Sequence, residues 1–397
     1  MELLAPAGNL EKLKWAVIYG ADAVYFGTEF GSLRSFAGNF SFDDAEAGIN
    51  FLHARGKKGY VTLNIYPFSE EYDKIRHIVG ILDDMGADAF IISDIGVLRE
   101  LNKLKLNASI HISTQANTTN YQAALAYKQL GATRVNLARE LSLARIKEIQ
   151  GKTRANIETE VFIHGAVCFS YSGRCAISDY LTGYKANRGE CKHPCRWRYA
   201  LVEETRPGQY MPVFEDEMGL YLFNSKDLAL FEYVPELESI GVSSIKIEGR
   251  MKSIHYIATV VSFYRQVLDG KQFSPQQGFE LLSRVPNRGY STGFIKGYID
   301  DKDYQFNQSE SRSESVFVGN VTEENIDGHC IIEVRNKIYA GESLEVLAPD
   351  GSLTTMVMPD HLITNDGHTV DCVNHSQFIM LDQNLNPFTI LRRVENK

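Results

Sequence analysis

Four cysteines in the middle of the chain are the residues best suited to binding a metal. Cys168, Cys175, Cys191 and Cys195 have six, fifteen and three residues between them, in a chain of 397 residues. Four thiolates bind either a tetrahedral zinc ion or a 4Fe–4S cluster. Zinc sites prefer two tight cysteine pairs and here one pair is tight, so the spacing favours the iron–sulfur cluster. Buried free thiols are the alternative, because cysteine often lies in cores.

Basic and aromatic residues alternate around the last two of these cysteines. Basic side chains that follow a phosphate backbone, with aromatic faces on which bases stack, are typical of an RNA-binding surface. The same cations would also lower the cost of burying an anionic thiolate-bound cluster, and the two explanations are compatible. The candidate RNA-binding residues are Lys185, Arg188, Lys192, Arg196, Trp197 and Arg198.

Polar side chains also collect where predicted strands end. An arginine fork binds carboxylates in two-point contact, so such residues predict a site for an anionic small molecule. A structural ion-pair network, for example Glu248 with Arg250, is the alternative. The candidate substrate-binding residues are Asn64, Arg139, Lys246 and Arg250, and the candidate catalytic residues are Gln115, His164 and Glu248.

Eight short apolar runs alternate with helical patterns over the first 270 residues and would position these side chains. Such alternation predicts parallel strands joined by right-handed helical connections, and eight repeats predict a (β/α)8 barrel of the TIM type. An open doubly wound sheet is the alternative, but no G-x-G-x-x-G follows the first strand. The predicted strands are Glu2–Ala5, Ala21–Phe26, Gly59–Ile65, Ala87–Ser93, Ser109–Ser113, Arg134–Leu137, Ile157–Ile163 and Ser244–Ile247.

The stretch between the seventh and eighth predicted strands is too long for a loop of such a barrel. We therefore predict an insertion over residues 164–243, which contains the four cysteines and begins at the end of a barrel strand, where barrel enzymes place their chemistry. The barrel domain is predicted over 1–300, a polar linker over 301–313, and a small all-β barrel over 314–397, where short strands are separated by turns such as Asp350-Gly351 and Asp366-Gly367.

The composition indicates an ordinary globular protein. Hydrophobic residues make up 44% and charged residues 23% of the chain, and the net charge of −9 argues against a wholly basic nucleic-acid binder. No apolar run approaches the 18 or so residues that span a bilayer, and the first residues lack the pattern of a secretory signal. We therefore expect a cytoplasmic protein without a membrane partner, in which Cys330 and Cys372 are core thiols rather than disulfides.

The spacing around the first two clustered cysteines resembles a known signature. Glu160-x-Phe162-x-x-Gly165-Ala166-Val167-Cys168, followed by Gly173-x-Cys175-x-Ile177-Ser178, is similar to the signature of the collagenase-like peptidase family U32. The segments Leu4–Gly8, Arg34–Phe40, Lys246–Arg250 and Asn287–Tyr290 are also similar to that family, so the resemblance covers most of the chain.

Within that family, the layout resembles the bacterial tRNA uridine hydroxylation proteins. The resemblance implies oxygen-independent hydroxylation of the wobble uridine 34 of tRNA to 5-hydroxyuridine, prephenate as a required metabolite, and a 4Fe–4S cluster on the four cysteines. Relatives that hydroxylate a cytidine of 23S ribosomal RNA, and the peptidase activity of the family's older name, with Cys168 and His164 as a nucleophile and base, remain alternatives. A zinc-stabilised RNA-binding module is a third, non-catalytic alternative.

Overall fold

The structure is a computed structural model, and its described residues fall into two compact units. The described residues are 1–29, 31, 39–167, 182, 196–197, 200–202, 210–212, 214–216, 219–221, 226–297, 311–326 and 329–395. The first unit comprises Met1–Val17, Ala21–Lys252 and Arg288–Glu310, and the second comprises Ile18–Gly20, Ser253–Asn287 and Ser311–Lys397. None of the described helices combines the length and the apolar character needed to cross a membrane.

A closed parallel barrel forms the first unit. Its eight described strands pair in chain order, and the last strand pairs with both the seventh and the first, which closes the ring. The predicted TIM-like barrel is therefore confirmed. The strands are β1 (Glu2–Pro6), β2 (Ala23–Phe26), β3 (Lys58–Leu63), β4 (Ala89–Ile92), β5 (Ser109–Ile112), β6 (Arg134–Asn136), β7 (Glu158–Gly165) and β14 (Ser244–Ile247).

Helices connect these strands, and polar residues cap several of them. The hydroxyl of Ser41 accepts from the backbone N–H of Asp44, and the carboxylate of Asp94 accepts from that of Val97. Asn120 and Ser142 cap two further helices in the same way, which satisfies backbone donors that have no partner inside a helix. The helices are α1 (Leu10–Ile18), α2 (Phe42–His53), α3 (Tyr72–Asp84), α4 (Ile95–Leu101), α5 (Tyr121–Gln129), α6 (Leu143–Thr153) and α7 (Val234–Ser239).

The described parts of the predicted insertion, together with residues 290–291 beyond it, add short strands to this unit. Strand β13 (Asp227–Ala229) pairs antiparallel with the end of β7, and β15 (Tyr290–Ser291) pairs parallel with β13. The other pairings form two small antiparallel sheets. Their strands are β8 (Arg196–Trp197), β9 (Ala200–Val202), β10 (Tyr210–Pro212), β11 (Phe214–Asp216) and β12 (Gly219–Tyr221).

The second unit combines two helices with an antiparallel β domain. Helices α8 (Ile254–Leu268) and α9 (Pro275–Leu282) belong to this unit. Eight described strands pair in the order β20-β19-β25-β16-β17-β24-β21-β22, and β18 pairs with β23. The strands are β16 (Ser315–Ile326), β17 (His329–Val334), β18 (Ile338–Tyr339), β19 (Ser343–Leu347), β20 (Leu353–Val357), β21 (Leu362–Thr364), β22 (Thr369–Val370), β23 (Cys372–Val373), β24 (Phe378–Leu381) and β25 (Ile390–Val394).

A buried arginine joins the helices and strands of this second unit. Arg392 is almost fully buried on β25, where its Nε donates to Glu345 Oε1 at 2.6 Å and its terminal nitrogen donates to the Thr259 hydroxyl at 3.0 Å. The predicted all-β C-terminal domain is confirmed, with Cys330 buried in its core. The exact domain boundaries stay a prediction, and the contacts group α8 and α9 with the C-terminal strands.

Candidate functional site

A small polar cavity lies at the carboxyl-terminal end of the barrel strands, where barrel enzymes place their chemistry. We call it the mouth cavity; its volume is about 120 Å³. Six of the seven small-molecule and catalytic residues that the sequence predicts line it: Asn64, Gln115, Arg139, Lys246, Glu248 and Arg250. The other lining residues are Tyr25, Thr62, Ile91, Ser113, Thr114, Asn136 and Phe162.

A buried ion pair adjoins the mouth cavity through Lys246, which lines it. Lys246 on β14 and Glu160 on β7 are both almost fully buried, and Lys246 Nζ lies 2.9 Å from Glu160 Oε1. The same carboxylate oxygen accepts from Asn136 Nδ2 at 2.7 Å, and the second oxygen lies 3.4 Å from a terminal nitrogen of Arg134. Each buried charge thus has an opposite charge beside it, and Glu160 also accepts a hydrogen bond from Asn136, which lowers the cost of burial.

Two aromatic rings flank the Lys246 ammonium group. Its Nζ lies 4.3 Å from the ring centre of Tyr25 and 5.4 Å from that of Phe162, distances at which a cation is attracted to a ring face. Burial lowers the pKa of Lys246, and Glu160 opposes that shift. The ammonium is therefore held in a dry position, where its attraction to an anion would be stronger than in water.

Arg250 is positioned by contacts on two sides. Its guanidinium donates to the Thr62 hydroxyl at 2.9 Å, and the residue is 5% exposed. Its backbone carbonyl oxygen lies against Gly8, where an added Cβ would overlap that oxygen. Only glycine allows this close approach. The requirement for glycine at position 8 is therefore linked to the position of Arg250 at the mouth cavity.

Arg139 connects the mouth cavity to the segment that leads to the cysteines. A terminal nitrogen of Arg139 donates to the carbonyl oxygen of Ala166 at 3.0 Å, and its guanidinium lies 5.4 Å from the Phe162 ring centre. Ala166 stands two residues before Cys168 in the sequence. Arg139 therefore holds the chain at the point where it leaves β7 for the cysteine-containing insertion.

Gln115 reaches the mouth cavity from a short 3-10 helix after β5, and Glu248 reaches it from the loop after β14. The Ser93 hydroxyl donates to Gln115 Oε1 at 3.0 Å, and the Tyr66 hydroxyl donates to the Gln115 carbonyl at 2.7 Å. The backbone N–H of Glu248 donates to the His164 carbonyl at 2.9 Å. Both side chains are half-buried, so they can contact a bound molecule while keeping these supports.

His164 is the predicted catalytic residue that does not line the mouth cavity. It is 1% exposed, and its ring centre lies 5.5 Å from that of Tyr290. Burial, with a smaller contribution from Lys252, lowers the pKa of His164 to about 3, so the ring is neutral at pH 7. The register of β7 against β14 shifts between Lys246 and Ile247, which places His164 opposite Ile247.

The predicted metal ligands and most predicted RNA-binding residues lie outside the described residues. These are Cys168, Cys175, Cys191, Cys195, Lys185, Arg188, Lys192 and Arg198; Arg196 and Trp197 form β8, and only their backbone is described. Within the described ranges, no three His, Cys, Asp or Glu side chains are grouped closely enough to hold a metal ion. The ligand set therefore stays a prediction.

Sequence reasoning missed the aromatic and hydroxyl walls of the mouth cavity. Tyr25, Thr62 and Phe162 lie within strands, where aromatic and β-branched residues ordinarily indicate core. The signal that could have identified them is their position: each stands one to three residues before the end of a barrel strand, on the inward side of the alternation.

Comparison with protein families identifies the chain. The sequence model of Peptidase family U32 matches residues 8–305, and that of the Peptidase family U32 C-terminal domain matches residues 313–392. The chain belongs to peptidase family U32. The resemblance inferred from the cysteine signature is thereby confirmed for this U32 protein.

This U32 protein is similar to three relatives, and the fraction of each relative's length that it covers differs. It is 36% identical over 402 residues to tRNA hydroxylation protein P1 of Bacillus subtilis, covering 99% of this chain and 94% of the relative. It is 37% identical to tRNA hydroxylation protein P of Escherichia coli, covering 89% and 87%. It is 38% identical over 269 residues to the 23S rRNA 5-hydroxycytidine C2501 synthase of Escherichia coli, covering 68% of this chain and 39% of the relative.

Proposed function

We propose that this U32 protein is an enzyme that hydroxylates tRNA. The observation that carries the proposal is its end-to-end similarity to the Bacillus subtilis tRNA hydroxylation protein P1, in which both chains are covered almost completely. The ribosomal RNA synthase matches over only 39% of its own length, which favours tRNA over ribosomal RNA as the substrate. A tRNA substrate also agrees with a cytoplasmic location.

The specific reaction that we propose is oxygen-independent hydroxylation of uridine 34 to 5-hydroxyuridine, with prephenate as the required metabolite. Prephenate is a small dianion, and the mouth cavity presents the cations Arg139, Lys246 and Arg250. A cavity of about 120 Å³ is smaller than an ordinary whole-ligand pocket. It therefore suits the carboxylate-bearing part of a metabolite, and the base of the RNA would approach from outside it.

Each predicted residue of the mouth cavity has a role in this proposal. Lys246 and Arg250 bind carboxylates, Arg139 binds a carboxylate and holds the chain before Cys168, and Asn64 orients the metabolite by hydrogen bonding. Glu248, half-buried at the same cavity, accepts or donates a proton in this proposal, and the Gln115 amide orients the reacting group by hydrogen bonding. The neutral His164 acts behind the strand end, where its carbonyl oxygen positions Glu248.

The cofactor that we propose is a 4Fe–4S cluster held by Cys168, Cys175, Cys191 and Cys195. A set of four thiolates fits such a cluster chemically, and the first ligand follows directly from the segment that Arg139 holds. When bound, the cluster supplies one-electron transfer or a Lewis-acidic iron. We expect Cys191→Ala to lose the brown colour, the bound iron and the hydroxylation together; hydroxylation by an iron-free protein would contradict the assignment.

RNA binding is assigned to the insertion. Its candidate residues are Lys185, Arg188, Lys192, Arg196, Trp197 and Arg198. A base must leave the stack to reach an enclosed site, and basic groups with aromatic faces supply both phosphate contacts and a stacking surface for it.

A peptidase is the second candidate, because it is the activity in the family's name. A Cys168–His164 pair would have to act without support from the mouth cavity, since His164 does not line it. Peptide hydrolysis by the anaerobically purified protein, with a Cys168→Ala variant as the control for contaminating proteases, tests this candidate directly. Metal analysis separates both enzymes from a colourless zinc-stabilised RNA-binding module.

The experiment that tests the tRNA assignment is nucleoside mass spectrometry of RNA from cells that lack the gene. We expect 5-hydroxyuridine to disappear from tRNA while the hydroxylated cytidine of 23S ribosomal RNA is retained. Loss of the cytidine modification instead would favour ribosomal RNA, and unchanged nucleosides in both RNAs would contradict the proposal.

A further inference from the structure

A second cavity lies at the opposite end of the barrel from the mouth cavity. We call it the basal cavity; its volume is about 540 Å³, more than four times that of the mouth cavity. It is lined at the amino-terminal ends of β3 to β7 and by the residues between α6 and β7. The lining residues are Lys58, Tyr60, Asp88, Ser109, His111, Lys128, Thr133, Arg134, Arg154, Ala155, Asn156, Ile157 and Glu158.

The basal cavity carries an excess of positive charge in a chain whose net charge is −9. Two carboxylates line it, and both have partners: Glu158 lies 2.7 Å from Arg134, and Asp88 lies 3.0 Å from His53. Lys58, Lys128 and Arg154 are exposed at the same cavity, and none of the three forms a salt bridge in the part of the chain that the structure describes.

A buried polar group completes the inner wall of the basal cavity. His111 is 6% exposed, and its ring centre lies 4.8 Å from that of Tyr60 in an edge-on contact. Its Nδ1 is buried and has no hydrogen-bond partner among the described residues. A buried polar atom of this kind normally has a partner, and His111 lines the cavity, so a water molecule or a ligand has to supply that partner.

We propose that the basal cavity is a binding site for a small phosphorylated metabolite. Lys58, Lys128 and Arg154 supply three cations for phosphoryl oxygens, and His111 supplies a hydrogen-bonding atom at the inner wall. The volume accommodates a molecule of nucleotide size. Arg134 does not need to contribute, because Glu2, Glu158 and Glu160 already occupy its guanidinium. This site is separate from the proposed tRNA hydroxylation at the mouth.

Calorimetry with inorganic pyrophosphate tests this site at constant ionic strength. We expect saturable one-site binding by the wild-type protein, with Kd raised about tenfold or more by Lys128→Glu and by Arg154→Glu, because each removes a charge-assisted contact. The matched control is Lys147→Glu, which makes the same charge change at an exposed position of α6 that does not line the cavity.

Four results would overturn the proposal. Absence of saturable pyrophosphate binding would remove the site, and equal weakening by Lys147→Glu would reduce the effect to overall charge. Citrate binding as tightly as pyrophosphate would remove the selectivity for phosphate. Weakened tRNA binding by Lys128→Glu, with pyrophosphate affinity unchanged, would assign the basal cations to the RNA backbone. None of these readouts depends on hydroxylation, so their failure leaves the proposed function intact.

Discussion

Lys246 Nζ and Glu160 Oε1 lie 2.9 Å apart inside the barrel, and both side chains are less than 5% exposed. On one side of the pair, Lys246 and the Glu160 partner Asn136 line the mouth cavity. On the other side, towards the amino-terminal half of the barrel, Glu160 contacts Arg134. A buried ion pair adds little net stability but is costly to break, so its position at a cavity points to a role in binding.

Comparing Lys246→Met with a double variant separates a role in binding from a role in folding. Lys246→Met leaves Glu160 buried without its closest cation, so we expect a loss of about 3 kcal/mol or more in the free energy of unfolding, together with a loss of activity. The double variant Lys246→Met with Glu160→Gln removes both charges and should recover much of the stability. Urea denaturation and tRNA hydroxylation are measured side by side. Recovered activity in the double variant would show that the cation serves folding alone.

Gly8 is expected to control the position of Arg250. In Gly8→Ala the new Cβ would overlap the Arg250 carbonyl oxygen, so the loop must shift, at a cost of about 1–3 kcal/mol. We expect a higher KM for the anionic metabolite and a lower denaturation midpoint. Gly80→Ala is the matched control, because Gly80 lies in α3 with nothing within 4 Å of an added Cβ. An unchanged KM for Gly8→Ala would contradict the link between Gly8, in the loop after β1, and Arg250, in the loop after β14.

His255 should make the second unit sensitive to acid. Burial, followed by the nearby Arg392, lowers the pKa of His255 to about 3, against an ordinary value near 6.5. Protons therefore bind the unfolded chain more strongly, so the stability present above pH 6.5 is lost as the pH falls towards 3. Between pH 7 and 5 this amounts to about 2 kcal/mol.

The comparison that measures this effect is His255→Gln against His77→Gln in urea denaturation at both pH values. We expect the loss between pH 7 and 5 to shrink in His255→Gln and to stay at the wild-type level in His77→Gln, because His77 is exposed on α3. An equal loss in all three proteins would assign the acid sensitivity to other groups.

Cations of the insertion should set the salt dependence of tRNA binding. For each phosphate contact removed, the slope of log affinity against log salt falls by about 1. We therefore expect Arg198→Gln to bind tRNA more weakly and with a smaller salt slope than the wild-type protein. Lys147→Gln, on the exposed face of α6, should leave both quantities unchanged. Identical slopes for Arg198→Gln and the wild-type protein would remove Arg198 from the interface.

The barrel could be predicted because its signals are local. Short apolar runs marked all eight of its strands, and the structure shows a strand at each of them. Four C-terminal strands escaped prediction: Ile338–Tyr339, Leu353–Val357, Leu362–Thr364 and Ile390–Val394. Leu353–Val357 is mostly exposed and has no fully buried face, and Ile390–Val394 contains Arg392, whose burial depends on Glu345 from another strand.

The site was only partly predictable for a similar reason. The rule that chemistry follows the ends of barrel strands identified Arg139, Lys246 and Arg250, because it needs only the strand ends. It also selected His164, which pairs with Ile247 after a register shift between β7 and β14 and does not line the mouth cavity. The basal cavity arises from residues that are distant in sequence, such as Lys58 and Arg154, so no local pattern indicated it.

The most direct test of the account is the amount of 5-hydroxyuridine in tRNA from a gene-deletion strain that carries either the wild-type gene or the Lys246→Met, Glu160→Gln double variant. Nucleoside mass spectrometry should find the modification restored by the wild-type gene and absent with the variant, at equal levels of folded protein. Failure of the wild-type gene to restore 5-hydroxyuridine would contradict tRNA hydroxylation, and restoration by the variant would contradict the mouth cavity as its site.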